Sequence, residues 1–318
     1  MFKIMVENNR KIMRIPDGVH YITEPICIEE DDLYIQGEGN AVFRAALPLA
    51  ENTWEDAGCG RFCTEVSRIP DALYLNGEKY RMARYPKYDP EIAVFNGYSA
   101  DCISKEKAAG WKNPKGGYIH ALHKHDWGGF SYQITGKDDD GNLTYIGGWQ
   151  NNRQMGMHDE YRFVENIFEE LTEPGEWYYS EEEQKIYVIP CEGHALSSAE
   201  IAVNSCFFSL KERRNVVIEN IRFEKSSRTF MLTKEPLLRS DWTIYRGGAV
   251  CFRDCKACRI TECVFDDIGS NAVFVDGNCD GILVQKSLIQ NVGASGICFV
   301  GRSDCVRSPL FEYMEESN

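Results

Sequence analysis

From residue 200 onward the apolar positions come in short runs, rich in β-branched and aromatic side chains and separated by Gly, Asn and Asp. The runs repeat. Ile260, Cys263, Val264, Phe265, Asp267, Ile268 and Gly269 are followed 24 residues later by Val284, Ser287, Leu288, Ile289, Asn291, Val292 and Gly293. Behind them Ala272-Val273-Phe274-Val275 is matched by Gly296-Ile297-Cys298-Phe299. A period of this length means stacked units, none of which can bury its apolar face alone. No helical spacing runs through them, so each unit is predicted to be a coil of short strands.

The same rhythm appears earlier. Residues 14 to 45 predict four short strands separated by Asp-Gly, Glu-Pro, Asp-Asp and Gly-Glu-Gly turns, one coil with its entry strand. From about 46 to 195 the rhythm is lost, aromatic density rises, and Asn76-Gly77 and Asp140-Gly141 predict antiparallel hairpins. The expected organisation is therefore a first coil over 1–45, an inserted β-domain over 46–195 and further coils over 196–318. Ile218 to Phe223 match Ile260 to Phe265 at a spacing of 42, so a long loop must leave the stack at about 225–246. The last coil pattern runs through Gly293 to Gly301, and no polar capping element follows it. That predicts a shortened relative of a longer solenoid, or a cap formed by Leu310 to Met314.

Composition narrows the function. Forty-nine acidic residues against 35 basic ones give a formal charge of −14, which disfavours nucleic acid, since phosphate binding needs a basic footprint, and suits a neutral glycan partner. No stretch approaches the ~18 apolar residues of a membrane span, and the first 13 residues lack the apolar core of a secretory signal. Thirteen scattered cysteines in so large a chain read as reduced thiols, and the location expected is cytoplasmic unless a leader has been removed. Cys251, Cys255, Cys258 and Cys263 have the density of a zinc site, yet the repeat places Cys251 in line with Phe274 and Cys298, which marks these thiols as core filler. His123 and His125 are expected on one face of a strand, where they could begin a metal site that has no third ligand nearby. No metal and no cofactor are expected.

Two sets of residues could carry chemistry. Trp149, Asn152, Arg153 and His158 combine a flat aromatic face with amide and cationic hydrogen-bonding groups, a set suited to sugar hydroxyls; Trp149 in a core is the competing reading. In the coils, Glu224 aligns with Asp266 and Lys225 with Asp267. Adjacent coils lie ~4.8 Å apart, close to the ~5–5.5 Å between the carboxylates of a retaining glycosidase. Asp241 and Trp242 in the predicted loop could lean over the same face. Against catalysis, Asp266 and Asp267 occupy the positions of Gln290 and Asn291, where Asp and Asn commonly make turns.

The segments LYLNGEKYRMARYP (73 to 86), GGWQNNR, ENIFEELTEPGEWYYSEEEQKIYVIP and NVGASGICFVG (291 to 301) resemble bacterial right-handed parallel β-helix proteins related to glycoside hydrolase family 141. The PGEWYY…IYVIP string is the most specific part. The resemblance implies a right-handed parallel β-helix interrupted by a β-sandwich or barrel, and a carbohydrate-active enzyme. Members of that group are usually longer, with catalytic carboxylates on later coils. On this reading Glu224 and Asp266 are the acid and nucleophile, with Asp267 and Asp241 beside them. Trp149 and Trp242 would stack on the sugar, and Asn152, Arg153 and His158 would orient it. Two alternatives remain open: a non-catalytic carbohydrate-binding or structural protein, and a polysaccharide lyase or epimerase. The last needs a basic groove, against which a charge of −14 weighs.

Overall fold

The computed structural model describes residues 2–49, 53–150, 156–232 and 244–302. The chain forms two compact units, Met1–Leu47 with Ala202–Thr229 and Tyr245–Asn318, and Pro48–Ile201 with Phe230–Ile244. No helix among the described residues is long and apolar enough to cross a membrane.

The first unit is a parallel β-helix with three faces. Its first face stacks Arg10–Ile15, Leu33–Gly37, Val217–Glu219, Arg259–Thr261 and Leu283–Gln285. The second stacks Gly18–Tyr21, Ala41–Arg44, Arg222–Glu224, Val264–Ile268 and Leu288–Val292. The third stacks Ile26–Ile28, Phe208–Lys211, Val250–Arg253, Val273–Asp276 and Ile297–Val300. The predicted repeat is the observed register: Ile260 pairs with Val284, Phe265 with Ile289, and Phe274 with Cys298.

Alternation explains the core. Ile35, Ile218 and Ile260 from the first face, Phe43, Phe223 and Phe265 from the second, and Phe208, Phe252 and Val275 from the third point inward and are at most 2% exposed. The corner between the first and second faces is tight and needs a left-handed residue, supplied by Asn220 (φ 54°), Glu262 (φ 54°) and Lys286 (φ 50°). Asn220 adds a side-chain hydrogen bond from Nδ2 to the Gly37 carbonyl of the coil before it, at 2.9 Å.

Cys255, Cys258 and Cys263 behave as core filler, whereas Cys251, in register with Phe274, alternates with the inward Val250 and Phe252 and points out of the third face, against the expectation. Cys255, Cys258 and Cys263 are at most 1% exposed, and the twelve described cysteines are all free thiols. At the corner between the third and first faces the Cys255 N–H donates to Cys279 Sγ of the next coil at 3.2 Å. A hydrogen bond from Cys258 draws the Cys255 thiol down to about 7.

The entry end differs from the expectation. Ile4–Glu7 pairs antiparallel with Arg10–Ile15 through a two-residue turn at Asn8 (φ 48°) and Asn9 (φ 61°), the left-handed pair that a tight hairpin demands. The Phe2 ring stacks on Phe43 at 5.4 Å. The segment 14–45 holds a full coil and the first two strands of the next, because the strand at Arg10–Ile15 starts before the predicted boundary.

The two longest detours leave from one corner. The chain departs after Ala41–Arg44 on the second face and resumes the third face only at Phe208–Lys211. One coil later it departs after Arg222–Glu224 and resumes at Val250–Arg253. The register step from Ile218 to Ile260 is 42 residues, against 24 from Ile260 to Val284.

The second unit contains two sheets. In the larger, Ala72–Leu75 and Glu78–Met82 form a hairpin over Asn76-Gly77, followed by Glu176–Ser180, Lys185–Ile189, Arg61–Glu65 and Glu55–Gly58. One pairing departs from the antiparallel expectation: Glu78–Met82 runs parallel to Glu176–Ser180. The smaller sheet orders Arg84–Tyr85, Met157–Glu165, Tyr118–His123, Gly129–Lys137 and Leu143–Gly147, with every pairing antiparallel. In the string PGEWYY, Trp177 is fully buried and donates from Nε1 to the Tyr80 carbonyl at 3.2 Å. Glu176, 5% exposed, receives Lys87 Nζ at 2.7 Å and the backbone N–H groups of Thr172 and Glu173 at 3.1 Å.

Candidate functional site

The second face brings Glu224 and Asp266 together as paired residues of adjacent coils. Both carboxylates are held by side-chain donors. Glu224 Oε1 accepts from Arg44 Nε at 2.8 Å and Nη2 at 2.5 Å, and its Oε2 accepts from Arg222 Nε at 2.8 Å. Arg222 also donates from Nη2 to Asp266 Oδ2 at 2.6 Å, and Asn291 Nδ2 reaches Asp266 Oδ1 at 2.9 Å. The result is a ladder, Arg44–Glu224–Arg222–Asp266–Asn291, across successive coils. Charge-assisted bonds of this kind favour the ionised carboxylate.

For Asp266, burial pulls the pKa upward, and the hydrogen bonds from Asn291, Gln290 and Arg222 together outweigh it and leave the group below its ordinary 3.8. A lowered folded-state pKa contributes stability that is present above the unfolded value and is lost as pH falls through the folded one. Asp266→Asn should therefore be less stable than the wild type at pH 7. The gap should narrow as pH drops below about 4, as urea midpoints measured at both pH values will show; a gap independent of pH would contradict this.

Asp267 serves the corner. Its backbone is left-handed (φ 53°), as at Lys225 (φ 57°) and Asn291 (φ 50°) on the coils either side, and its carbonyl accepts from Ser226 N–H at 3.2 Å. The corner is tight at Gly269, where a Cβ would stand 2.3 Å from the Ser227 carbonyl carbon.

Asp241, Trp242, Asn152 and Arg153 lie outside the described residues. Trp149 and His158 belong to the second unit. His158 accepts from the N–H groups of Glu160 and Tyr161 on Nδ1, both at 3.0 Å, and stacks on Tyr161 at 4.5 Å. His123 and His125 do not share a strand face, because the strand ends at His123 and the chain turns at Asp126 (φ 58°). His123 is buried against Trp127, their ring planes 4° apart.

The sequence reading missed the third face. Along each of its strands alternate residues point outward: Ser209 and Lys211, Cys251 and Arg253, Phe274 and Asp276. Phe274 and Asp276 are nevertheless only 1% and 5% exposed. The segment Tyr245–Gly248 is tied to this surface by Asn271, whose Nδ2 donates to the Tyr245 and Gly247 carbonyls at 3.0 and 2.7 Å. Asp276 is clamped by Arg246 Nη2 at 2.5 Å and Arg253 Nε at 2.9 Å. A cavity of about 230 Å³ opens between Tyr245, Cys251, Phe274 and Asp276. A second, of about 470 Å³, is lined by Lys211, Arg253, Asp276 and Arg302. A larger one of about 980 Å³ is the open mouth of the first coil, beside Phe2, Ile4 and Met13.

The chain is similar to a solved glycoside hydrolase at 15% identity, with a TM-score of 0.65 over 87% of this chain and 58% of that one. The likeness is one of fold. A complex of XylC with xylose matches at 12% identity with a TM-score of 0.42, over 82% of this chain and 36% of that structure. This chain thus spans just over half the length of the glycoside hydrolase it matches. No protein-family model and no curated protein matches it.

Three signals for the third face stand in the sequence. Asp276 directly follows the apolar run Val273-Phe274-Val275, Arg253 lies in register one coil earlier, and the long detour rejoins the stack at Arg246. Gly277-Asn278 after Asp276 reads as a turn, which masks the carboxylate as a turn residue.

Proposed function

We propose that this chain is a carbohydrate-active β-helix protein of the glycoside hydrolase type that seats an oligosaccharide on the third face. One observation carries the reading: an outward-pointing carboxylate, Asp276, is held between Arg246 and Arg253 beside Tyr245, where two cavities meet. A sugar ring presents an apolar face and a rim of hydroxyls. Tyr245 offers the first a stacking partner, and the Arg–Asp cluster offers the second fixed donors and acceptors. The shared fold with a glycoside hydrolase supports the class.

Binding without cleavage is favoured as the second reading by the state of the expected acid–nucleophile pair. A retaining mechanism needs one carboxyl to donate a proton to the leaving group, and both oxygens of Glu224, the expected acid, accept from arginines. Titration calorimetry against a panel of neutral oligosaccharides, run beside product analysis, tests both readings. Tyr245→Ala should weaken binding about tenfold, equivalent to ~1.4 kcal/mol, and Asp276→Asn should weaken it further. A ligand bound equally well by both variants would move the site off the third face. Turnover abolished by Asp266→Asn in a folded variant would restore catalysis to the second face.

A further inference from the structure

In the second unit, three strands of the smaller sheet bring a serine, a histidine and a glutamate into one chain of hydrogen bonds. His120 and Ser131 are paired residues of neighbouring strands, and Ser131 Oγ lies 3.2 Å from His120 Nδ1. On the other side His120 Nε2 lies 3.0 Å from Glu165 Oε1. Ser131 and Glu165 are each 8% exposed. The imidazole is held by stacking on Phe163 at 4.8 Å and by Phe230 at 4.9 Å.

The tautomer follows from the partners. An ionised carboxylate only accepts, so a neutral His120 facing Glu165 carries its proton on Nε2 and leaves Nδ1 bare toward the serine hydroxyl. That is the protonation a general base requires: a nucleophile within reach of the base, and the base oriented by a third group. The ring nitrogens are used in the reverse of the familiar serine hydrolase order, in which the carboxylate holds Nδ1 and the serine faces Nε2. The roles depend on geometry and not on that order. Gln150 adds a side-chain amide at the nucleophile, since its Oε1 accepts from the Ser131 N–H at 3.1 Å and its Nε2 donates to the Phe230 carbonyl at 2.8 Å.

The geometry points to an esterolytic centre in this unit, in which Ser131 is the nucleophile, His120 the general base and Glu165 the positioning residue. Ser131 Oγ adds to the carbonyl carbon of an O-acyl ester while its proton passes to His120 Nδ1. The tetrahedral intermediate collapses by breaking the bond to the alcohol oxygen, which takes that proton and leaves. Water then adds to the acyl-serine, giving its proton to His120. The second collapse releases the carboxylic acid and returns the proton to Ser131. Ester and water are consumed, and acid and alcohol are formed. The centre stands independently of the glycan reading.

Two small probes test it without any sugar. Diisopropyl fluorophosphate should phosphorylate the folded wild type on Ser131, with loss of fluoride, as mapped by peptide mass spectrometry. The protein should also hydrolyse p-nitrophenyl acetate. Ser131→Ala should lose both the label and the turnover. Glu165→Gln should keep the serine and slow turnover at least about tenfold, with a changed pH–rate profile that a merely structural glutamate would not produce. A wild type that stays unlabelled at Ser131, or Ser131→Ala turning over the ester at the wild-type rate, overturns the proposal.

Discussion

Phe223→Ala should lower the stability of the β-helix by about 3–5 kcal/mol, the range for removing a large aromatic side chain from a packed core. Phe223 is fully buried and meets four other rings: Phe265 stacked at 4.8 Å, Phe207 at 5.2 Å, Phe43 at 5.9 Å and Phe208 at 6.0 Å. These neighbours come from the coils on either side of Phe223 and from two faces, so collapse around the vacated volume would have to move several strands whose hydrogen bonds fix their spacing. Phe223→Leu keeps an apolar group in the column and should cost less. Because the chain has two compact units, the loss is best read from hydrogen exchange of the amides in Arg222–Glu224 and Val264–Ile268. A loss below about 1 kcal/mol would mean that the column is not the core it resembles.

Glu224→Ala is expected to cost about 2–3 kcal/mol, between the values for exposed and fully buried ion pairs. The Glu224 side chain is 12% exposed and those of Arg44 and Arg222 are 20% and 36%. Removing the carboxylate takes two bonds from the better-buried Arg44 and one from Arg222, which keeps its bond to Asp266. Glu224→Gln keeps an oxygen for one arginine and should cost less. Thermal and urea unfolding of both variants give the measurement. The outcome separates a scaffold role from a catalytic one: a glutamate that matters only for chemistry would leave stability unchanged and abolish turnover.

The β-helix was legible because its evidence is periodic. Ile260 over Val284 and Phe265 over Ile289 recur at one spacing, and the repeat states the register directly. The pairing of Glu224 with Asp266 follows from the 42-residue match of Ile218 to Phe223 with Ile260 to Phe265. What the spacing lacks is the view across the face. Arg44 reaches Glu224 over 180 residues of sequence because the inserted unit intervenes, so the ladder that holds the pair is not visible in the local pattern. The Ser131–His120–Glu165 chain is hidden for a related reason. The order of the smaller sheet places Tyr118–His123 between Met157–Glu165 and Gly129–Lys137, and no periodicity in the chain reports that order. His120 stands in HALHKH, where the eye is drawn to histidines at a period of two and away from the one whose partners lie on neighbouring strands. The entry hairpin was within reach, since Asn8-Asn9 between apolar runs is a hairpin turn by composition alone.

The shared corner from which both detours depart has a practical meaning. From Phe43 to Phe223 and on to Phe265 the register is kept, although 180 residues separate the first pair and 42 the second. The stack constrains phase and leaves length free at that corner. In the last described coil the same corner is Gly293-Ala294-Ser295-Gly296, with Ala294 and Ser295 exposed. It is therefore a natural port for grafting: a foreign loop or small domain spliced between Ala294 and Ser295 would extend outward beside the third face while the strands on either side stay in step.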